Sequence, residues 1–347
     1  MKILNCVVAC LWIGHAVGQE TVSVTAGATA SLTRPAGRDR ESFNVAAKAG
    51  QSLLVEINVS NVEKSNSSDQ LHIFPPGGGT KPLTSTLSED ISAHVMSVLP
   101  NAGVYRVEVF RSSKKAYDLR ITLMDPNDPR IDPGITAAKL SINTGTIGKK
   151  GPFRLKPIYP VVMGDADEFW PASLVLEEPD IRVMSLDGLK KTHWMDDRGW
   201  LKALAGLEAA LKPGTKPIAP KALPPSSPDA DLIMGARPET LEGKSFRAIR
   251  FIASYSQAED PPHNPMEYVA QGISSDGRYY VMMRAKISHP AVDAEAKTKL
   301  PSGEKQYAAA VRAVTARIVP KLEAAAPDSF KPSLAQLDAV FKSLTIQ

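Results

Sequence analysis

The sequence predicts an α+β protein of two folded regions, a β-sandwich followed by an α+β domain with an antiparallel sheet and C-terminal helices. Three observations carry this expectation. From Thr21 to Met124, apolar and polar residues alternate in short bursts separated by turn residues, with no helical period. A proline-dense run, Asp125-Pro126-Asn127-Asp128-Pro129 and then Asp132-Pro133-Gly134, interrupts the chain with residues that fix φ and stiffen a connector. Beyond it, alternating segments give way to two stretches whose apolar residues recur every three or four positions. The expected division is a leader at 1–18, a sandwich at 19–124, a connector at 125–134 and an α+β domain at 135–347.

The leader rests on Lys2, an apolar run from Ile3 to Val17, and the small residues Ala16 and Gly18. An apolar run of about 15 residues is short for a bilayer span of roughly 20. The order of charge, apolar core and small residues is that of a cleaved secretory signal, with the mature chain starting near Gln19. A competing reading takes Val7-Val8-Ala9-Cys10 as a lipobox with Cys10 lipidated, but the apolar run continues past Cys10. Cys6 and Cys10 are the only cysteines, so a mature chain without disulfide, thiol nucleophile or thiolate metal site is expected. The formal charge is +4, and losing Lys2 leaves +3. Lys114-Lys115, Lys149-Lys150 and Lys190-Lys191 are isolated pairs, not the concentrated basic face that nucleic acid demands. No later apolar stretch reaches spanning length, which predicts a secreted or periplasmic product without a transmembrane segment after signal cleavage.

In the first region, Ser52 to Val59 reads as a strand with Leu53, Val55, Ile57 and Val59 on one face. Gln70 to Phe74 is a second strand, stopped by Pro75-Pro76-Gly77-Gly78-Gly79. Asn101-Ala102-Gly103 is a turn, followed by the alternating Val104 to Phe110, and Tyr117 to Leu123 is a further strand. The segments SFNVAAKAGQSLLVEI, LPNAGVYRVEVF and YDLRITL, with Ala49-Gly50-Gln51, Gly103-x-Tyr105 and Tyr117-x-Leu119 as their sharpest pieces, resemble the bacterial pre-peptidase C-terminal domain. That resemblance implies a jelly-roll-like sandwich in a secreted bacterial protein, with an accessory binding role towards polymers and no catalysis. Asn61, Glu63, Asn66, Ser67, Ser68 and Asp69 gather oxygen ligands suited to calcium, but no spacing matches a calcium loop and a solvated hairpin loop is the plainer account. The sequons at Asn58 and Asn66 matter only in a eukaryotic secretory pathway.

In the second region, Tyr159 to Met163 is a candidate short strand, and Asp180 to Leu186 alternates up to Asp187-Gly188, a turn signal. Arg198 to Lys212 places Trp200, Leu201, Leu204, Leu207, Ala210 and Leu211 at helical spacing between Asp196-Asp197 and Pro213-Gly214. Lys212 to Asp231 holds six prolines and reads as an extended loop. Ser245 to Tyr255 alternates strongly, and Glu267 to Ile273 pairs through Ser275-Asp276-Gly277 with Arg278 to Ile287. Two helices close the chain, Gly303 to Ala325 around Pro320 and Leu334 to Leu344. RFIASYSQ, YVAQGISSDGRYYVMMRAKISHP and LDAVFKSLTI resemble uncharacterised C-terminal segments of bacterial secreted proteins and lipoproteins, and more distantly PsbP-like α+β sandwiches. Neither resemblance implies an activity here.

Signatures of known chemistry are missing. His72, His94, His193, His263 and His289 form no zinc-hydrolase spacing, and there is no G-x-S-x-G. Ser112-Ser113-Lys114-Lys115 sits in a hairpin loop, and Gly77-Gly78-Gly79 lacks the Lys-Ser/Thr of a phosphate loop. The best polar constellation is His193 beside Asp196 and Asp197, a candidate general base or metal site; helix capping by the two aspartates is the plainer account. His263, in the rigid loop Glu259 to Pro265, and Tyr279, among Tyr255, Tyr268 and Tyr280, are candidate ligand contacts, the tyrosines suiting carbohydrate or peptide if their sheet face is exposed. Alternation puts Tyr279 and Tyr280 on opposite faces, so one of them belongs in a core. No cofactor or metal is implied. The expected function is an exported non-catalytic binding protein of the bacterial envelope or extracellular space, with a polysaccharide, a peptide or an envelope protein as partner. The rival is a secreted hydrolase acting at His193, Asp196 and Asp197, with the sandwich as its targeting module.

Overall fold

The computed structural model describes residues 19–35, 40–58, 69–88, 92–111, 116–148, 151–156, 171–192, 199–226, 230–258 and 260–347. The leader, the oxygen-rich loop up to Ser68, Ser112 to Lys115 and the candidate strand Tyr159 to Met163 lie outside these residues. The chain divides into two compact units, the first reaching Asp128 and the second starting at Pro129.

The first unit is a β-sandwich. Its strands are β1 (Gln19–Val22), β2 (Thr29–Arg34), β3 (Arg40–Ala47), β4 (Ser52–Asn58), β5 (Asp69–Phe74), β6 (Thr84–Ser88), β7 (Ser92–Val98), β8 (Gly103–Phe110) and β9 (Tyr117–Met124). One sheet has the order β1-β3-β8-β5-β6, the other β2-β9-β4-β7. Only β1 with β3 is parallel among these pairings. Strand alternation sends Phe43, Val45, Leu71, Ile73, Tyr105, Val107 and Val109 inward from the first sheet, to meet Leu53, Val55, Ile57, Leu119, Ile121 and Leu123 from the second. Tyr105 is fully buried, and its hydroxyl donates to Asn101 O at 2.7 Å and accepts from Asn101 N, which pins the turn before β8. Gly103 in that turn has φ +152, and a Cβ there would lie 2.6 Å from the Pro76 ring, so the position has room only for glycine.

The second unit has three layers. Its central antiparallel sheet runs β11-β12-β13-β17-β16-β15-β14. In chain order the elements are β10 (Leu140–Ser141), β11 (Arg154–Lys156), β12 (Ser173–Glu177), β13 (Asp180–Ser185), α1 (Leu186–Lys190), α2 (Trp200–Ala210), β14 (Asp231–Glu242), β15 (Phe246–Ser256), β16 (Met266–Ser274), β17 (Tyr279–Ile287), α3 (Pro290–Ala296), α4 (Glu304–Ala324), α5 (Leu334–Ser343) and β18 (Thr345–Ile346). β10 and β18 make a separate two-stranded ladder. One sheet face, with Ala248, Ile252, Tyr268, Ala270, Tyr279, Val281 and Met283, packs with Val314, Ile318 and Leu322 of α4 and Leu337, Val340 and Phe341 of α5. The opposite face, with Ile249, Phe251, Val269, Tyr280 and Met282, packs with Leu186 and Leu189 of α1 and Trp200, Leu204 and Leu207 of α2. Central strands covered on both sides need apolar residues at successive positions, which explains the run Tyr279 to Met283.

Asp187-Gly188 is not a turn between strands but the first turn of α1, with Ser185 Oγ accepting from Gly188 N at 3.1 Å. Glycine is required there by close approach, since a Cβ would stand 2.1 Å from Pro129 O. β14 carries a bulge between Ala236 and Glu239, where Arg237 adopts φ 54. That backbone aims the Arg237 guanidinium at the end of α4, where it donates to Leu322 O at 3.2 Å and to Ala325 O and satisfies terminal carbonyls. No described helix is long and apolar enough to cross a membrane.

Candidate functional site

His193, Asp196 and Asp197 lie outside the described residues. Tyr279 is 4% exposed, and its hydroxyl donates to Gly134 O at 3.1 Å. It belongs to the core beneath α4 and α5, because helices cover the face that an open tyrosine-bearing sheet would have presented. Tyr268 and Tyr280 are fully buried, so no exposed tyrosine face forms on this hairpin. His263 is exposed on its loop, with Nδ1 3.5 Å from Pro261 O. Among the described residues, no group of three His, Cys, Asp or Glu side chains could hold one metal ion.

The second unit holds two polar constructions beside the α1–α2 face. Residues Pro224, Pro225 and Ser226 of the proline-rich segment are pinned by three side chains. Gln271 Nε2 donates to Pro224 O at 2.8 Å, Trp200 Nε1 donates to Pro225 O at 3.3 Å, and the Tyr255 and Ser226 hydroxyls share a hydrogen bond. Prolines offer no N–H, so the segment is held through its carbonyls and one hydroxyl. Burial raises the Tyr255 phenol above its ordinary value. Nearby, Arg182 grips Asp180 at 3.1 and 3.2 Å, and Arg284 grips Glu267 at 2.8 and 2.9 Å. Each guanidinium meets a carboxylate in a fork, an arrangement that compensates charge within the sheet.

The outer face of the five-stranded sheet in the first unit is different. Sheet register sets three cross-strand rows on the side away from the core: Arg40–Phe110–Gln70, Ser42–Glu108–His72 and Asn44–Arg106–Phe74. Val104, opposite Ala46, continues the same alternation and is 54% exposed. Leu83 is exposed beside this end of β5, its N–H donating to Ile73 O. Arg40 Nη2 reaches both oxygens of Glu108 at 3.0 Å, and Arg106 Nε lies 3.1 Å from Glu108 Oε1. The Glu108 side chain is only 6% exposed, whereas that of Arg40 is 62% exposed. Each guanidinium also covers an aromatic ring, Arg40 at 4.8 Å from the Phe110 centre and Arg106 at 4.3 Å from the Phe74 centre.

His72 lies between these rings, stacked on Phe74 and edge-on to Phe110, with Nε2 3.2 Å from Gln70 Oε1. Burial lowers the imidazole below its ordinary value of 6.5, and the Glu108 carboxylate opposes that shift. The loop Pro75 to Gly79 borders the face, with left-handed backbone at Gly77 and Gly78, and Arg106 Nη2 donates to Gly79 O at 3.4 Å. Sequence reading singled out none of Arg40, Phe74, Arg106, Glu108 or Phe110. The signal present was the phase of Val104 to Phe110, whose other half, Tyr105, Val107 and Val109, is core.

No family model matches the chain, and no curated protein matches its sequence. Solved structures do show similarity to part of it. PliG of Aeromonas hydrophila, a periplasmic inhibitor of g-type lysozyme, is 21% identical over 31% of this chain and 100% of its own, with a TM-score of 0.24. The pre-peptidase C-terminal domain of a Bacillus anthracis collagenase is 6% identical over 32% of this chain and 98% of its own, with a TM-score of 0.23. CorA, a surface-associated copper-binding protein of Methylomicrobium album BG8, is 8% identical over 32% of this chain and 100% of its own, with a TM-score of 0.21.

Proposed function

We propose that this is an exported bacterial binding protein, of the cell envelope or the extracellular space, acting by non-covalent contact through the outer face of its five-stranded sheet. The observation that supports this reading is the composition of that face. Aromatic side chains and arginines are the residues enriched where proteins make their strongest contacts. Here two of each stand in the cross-strand rows on either side of the Glu108–His72 row, with an exposed Val104 beyond the second, on a sheet whose other side is the sandwich core. Buried Glu108 holds both guanidiniums in place, so the face is organised before any partner arrives.

The test is a thermal-shift screen of the chain from Gln19 against polysaccharides, peptides and purified envelope proteins. A partner that binds only the folded state raises stability by RT ln(1 + [L]/Kd). The expected result is a melting shift for one probe class in the unaltered protein that disappears in Arg40→Ala. Turnover of a substrate that is abolished by His193→Ala, with melting unchanged, would overturn the binding reading in favour of a hydrolase.

A further inference from the structure

We infer that the occupant of the Arg40–Arg106 face is an acidic protein segment, its carboxylate set on Arg40 and an aliphatic side chain set on Val104. This rests on the binding reading above and narrows it to one partner chemistry. Three features of the face decide it.

Charge comes first. The described residues facing outward from β3, β8 and β5 include two arginines and one carboxylate, Glu108, which both arginines share. His72 is the one other titratable group among them, and burial favours its neutral form. Among the described residues one guanidinium charge is therefore left without a matching anion, and Arg40 is the group that water reaches. An incoming carboxylate completes that balance, and the planar guanidinium suits it.

Ring access comes second, and it separates a protein from a glycan. Sugars dock on bare aromatic faces through their C–H groups. Phe74 is 7% exposed, with Arg106 over its ring and His72 stacked against it. Phe110 is covered by Arg40 and met by the edge of His72. The aromatic surface is thus spent on guanidinium and imidazole contacts, and the stacking platform a glycan needs is missing from this part of the face.

The third feature is apolar. Val104 is 54% exposed and Leu83 is 39% exposed at the same end of β5 and β8. Val104 lies six positions along β8 from Phe110, the neighbour of Arg40. At about 3.3 Å per residue that is roughly 20 Å, so the match is an extended peptide whose Asp or Glu stands about six residues from its Leu, Ile or Val.

The experiment pans a displayed random-peptide library against the immobilised chain from Gln19, with a glycan array run in parallel. Selected peptides are then titrated against Arg40→Ala, Arg40→Lys, Val104→Asp and, as a control in the second unit, Leu155→Asp at an exposed position of β11. Arg40, Val104 and Leu155 are exposed, so melting temperatures check that each variant is folded. Expected are peptides that carry Asp or Glu about six residues from a large aliphatic residue. Their affinity should fall about tenfold or more in Arg40→Ala and Val104→Asp, recover partly in Arg40→Lys, stay level in Leu155→Asp, and weaken as salt is raised. Acidic peptides that bind Arg40→Ala and Val104→Asp as tightly as the unaltered protein would sink the inference while leaving a binding protein. Glycan capture lost in Arg40→Ala would keep the face and reject the protein partner. Enrichment of neither peptide nor glycan would count against the inference and the binding reading together.

Discussion

Arg250 shows how a single side chain ties the second unit together. It is 2% exposed, yet it carries a full charge into the face beneath α5. Its Nη1 donates to Arg237 O at 2.8 Å, its Nη2 pairs with Glu239, and its Nε lies 3.4 Å from Asp338 Oδ1, which also accepts from the Tyr268 hydroxyl at 2.8 Å. Burial raises the Asp338 carboxyl above its ordinary value, and Arg250 and Tyr268 oppose that rise. Removing one partner of a buried pair leaves the other charge uncompensated, so Arg250→Met should cost about 3 kcal/mol in urea unfolding. Adding Asp338→Leu should recover part of that loss. Glu239 is mostly exposed, and Glu239→Gln should cost less than about 1 kcal/mol. Equal costs for Arg250→Met and Glu239→Gln would refute the buried-network account. His289 is the second case. Its Nδ1 accepts from Ala291 N at 3.2 Å and caps α3, so the proton sits on Nε2, 3.0 Å from Ser329 Oγ. Burial, with Arg237 nearby, lowers its pKa below 6.5. The unfolded chain therefore binds more protons between the lowered value and 6.5. Stability from this residue is complete above 6.5 and is lost as pH falls from 6.5 through the folded value. His289→Asn keeps a capping group that does not titrate, and should lose less stability than the unaltered protein between about pH 7 and about pH 5. His72 shifts in the same direction, so the difference between the two proteins is the quantity to read.

At the scale of elements, α4 contains its own weak point. Pro320 lies inside the helix on its exposed side, lacking the N–H that would reach Ala316 O. The apolar stripe of Val311, Val314, Ile318 and Leu322 holds the helix across that gap. Pro320→Ala restores the missing donor and should stabilise the protein by about 1–3 kcal/mol, measured by urea unfolding. No gain would mean that the helix ends, in energetic terms, before Pro320. The same local physics marks what the sequence can reveal. Strands in which apolar and polar residues alternate, such as β8, announce themselves by that pattern, and the Asp276-Gly277 turn announces the β16–β17 hairpin. β12 has buried residues at Ser173, Leu174, Val175 and Leu176, so alternation is lost and nothing marks it. β14 hides behind its bulge, where Arg237 and Pro238 fall outside the ladder and Gly235 breaks the pattern. A Cβ at Gly235 would stand 2.5 Å from Pro220, a constraint visible only once the proline-rich segment is placed. The candidate face was half legible. Which residues of Val104 to Phe110 turn outward follows from phase, but their neighbours follow from the order β3-β8-β5, which joins strands far apart in the chain.

For the molecule as a whole, the division at Asp128 and Pro129 separates two independent apolar interiors. The first is the single sandwich core of Phe43, Tyr105, Val107, Leu119 and their neighbours, in a unit of about 110 residues. The second, in about 220 residues, is a sheet buried on both faces, with Met283 on the α4–α5 side and Met282 on the α1–α2 side. Both sizes lie within the range in which one core supports cooperative folding. Calorimetry of the chain from Gln19 should therefore resolve two transitions, each assignable by a core truncation. Leu119→Ala and Met283→Ala remove fully buried side chains and should each cost about 2–5 kcal/mol. The same free-energy loss moves the melting temperature of a smaller unit further, because its unfolding entropy is smaller. The shift expected is roughly 4–8 °C per kcal/mol near 100 residues and roughly 2–4 °C per kcal/mol near 200. Leu119→Ala should thus displace one transition strongly and leave the other in place, while Met283→Ala displaces only the second, and by about half as much per unit of destabilisation. A single transition moved by both substitutions would show that the two cores unfold as one cooperative body.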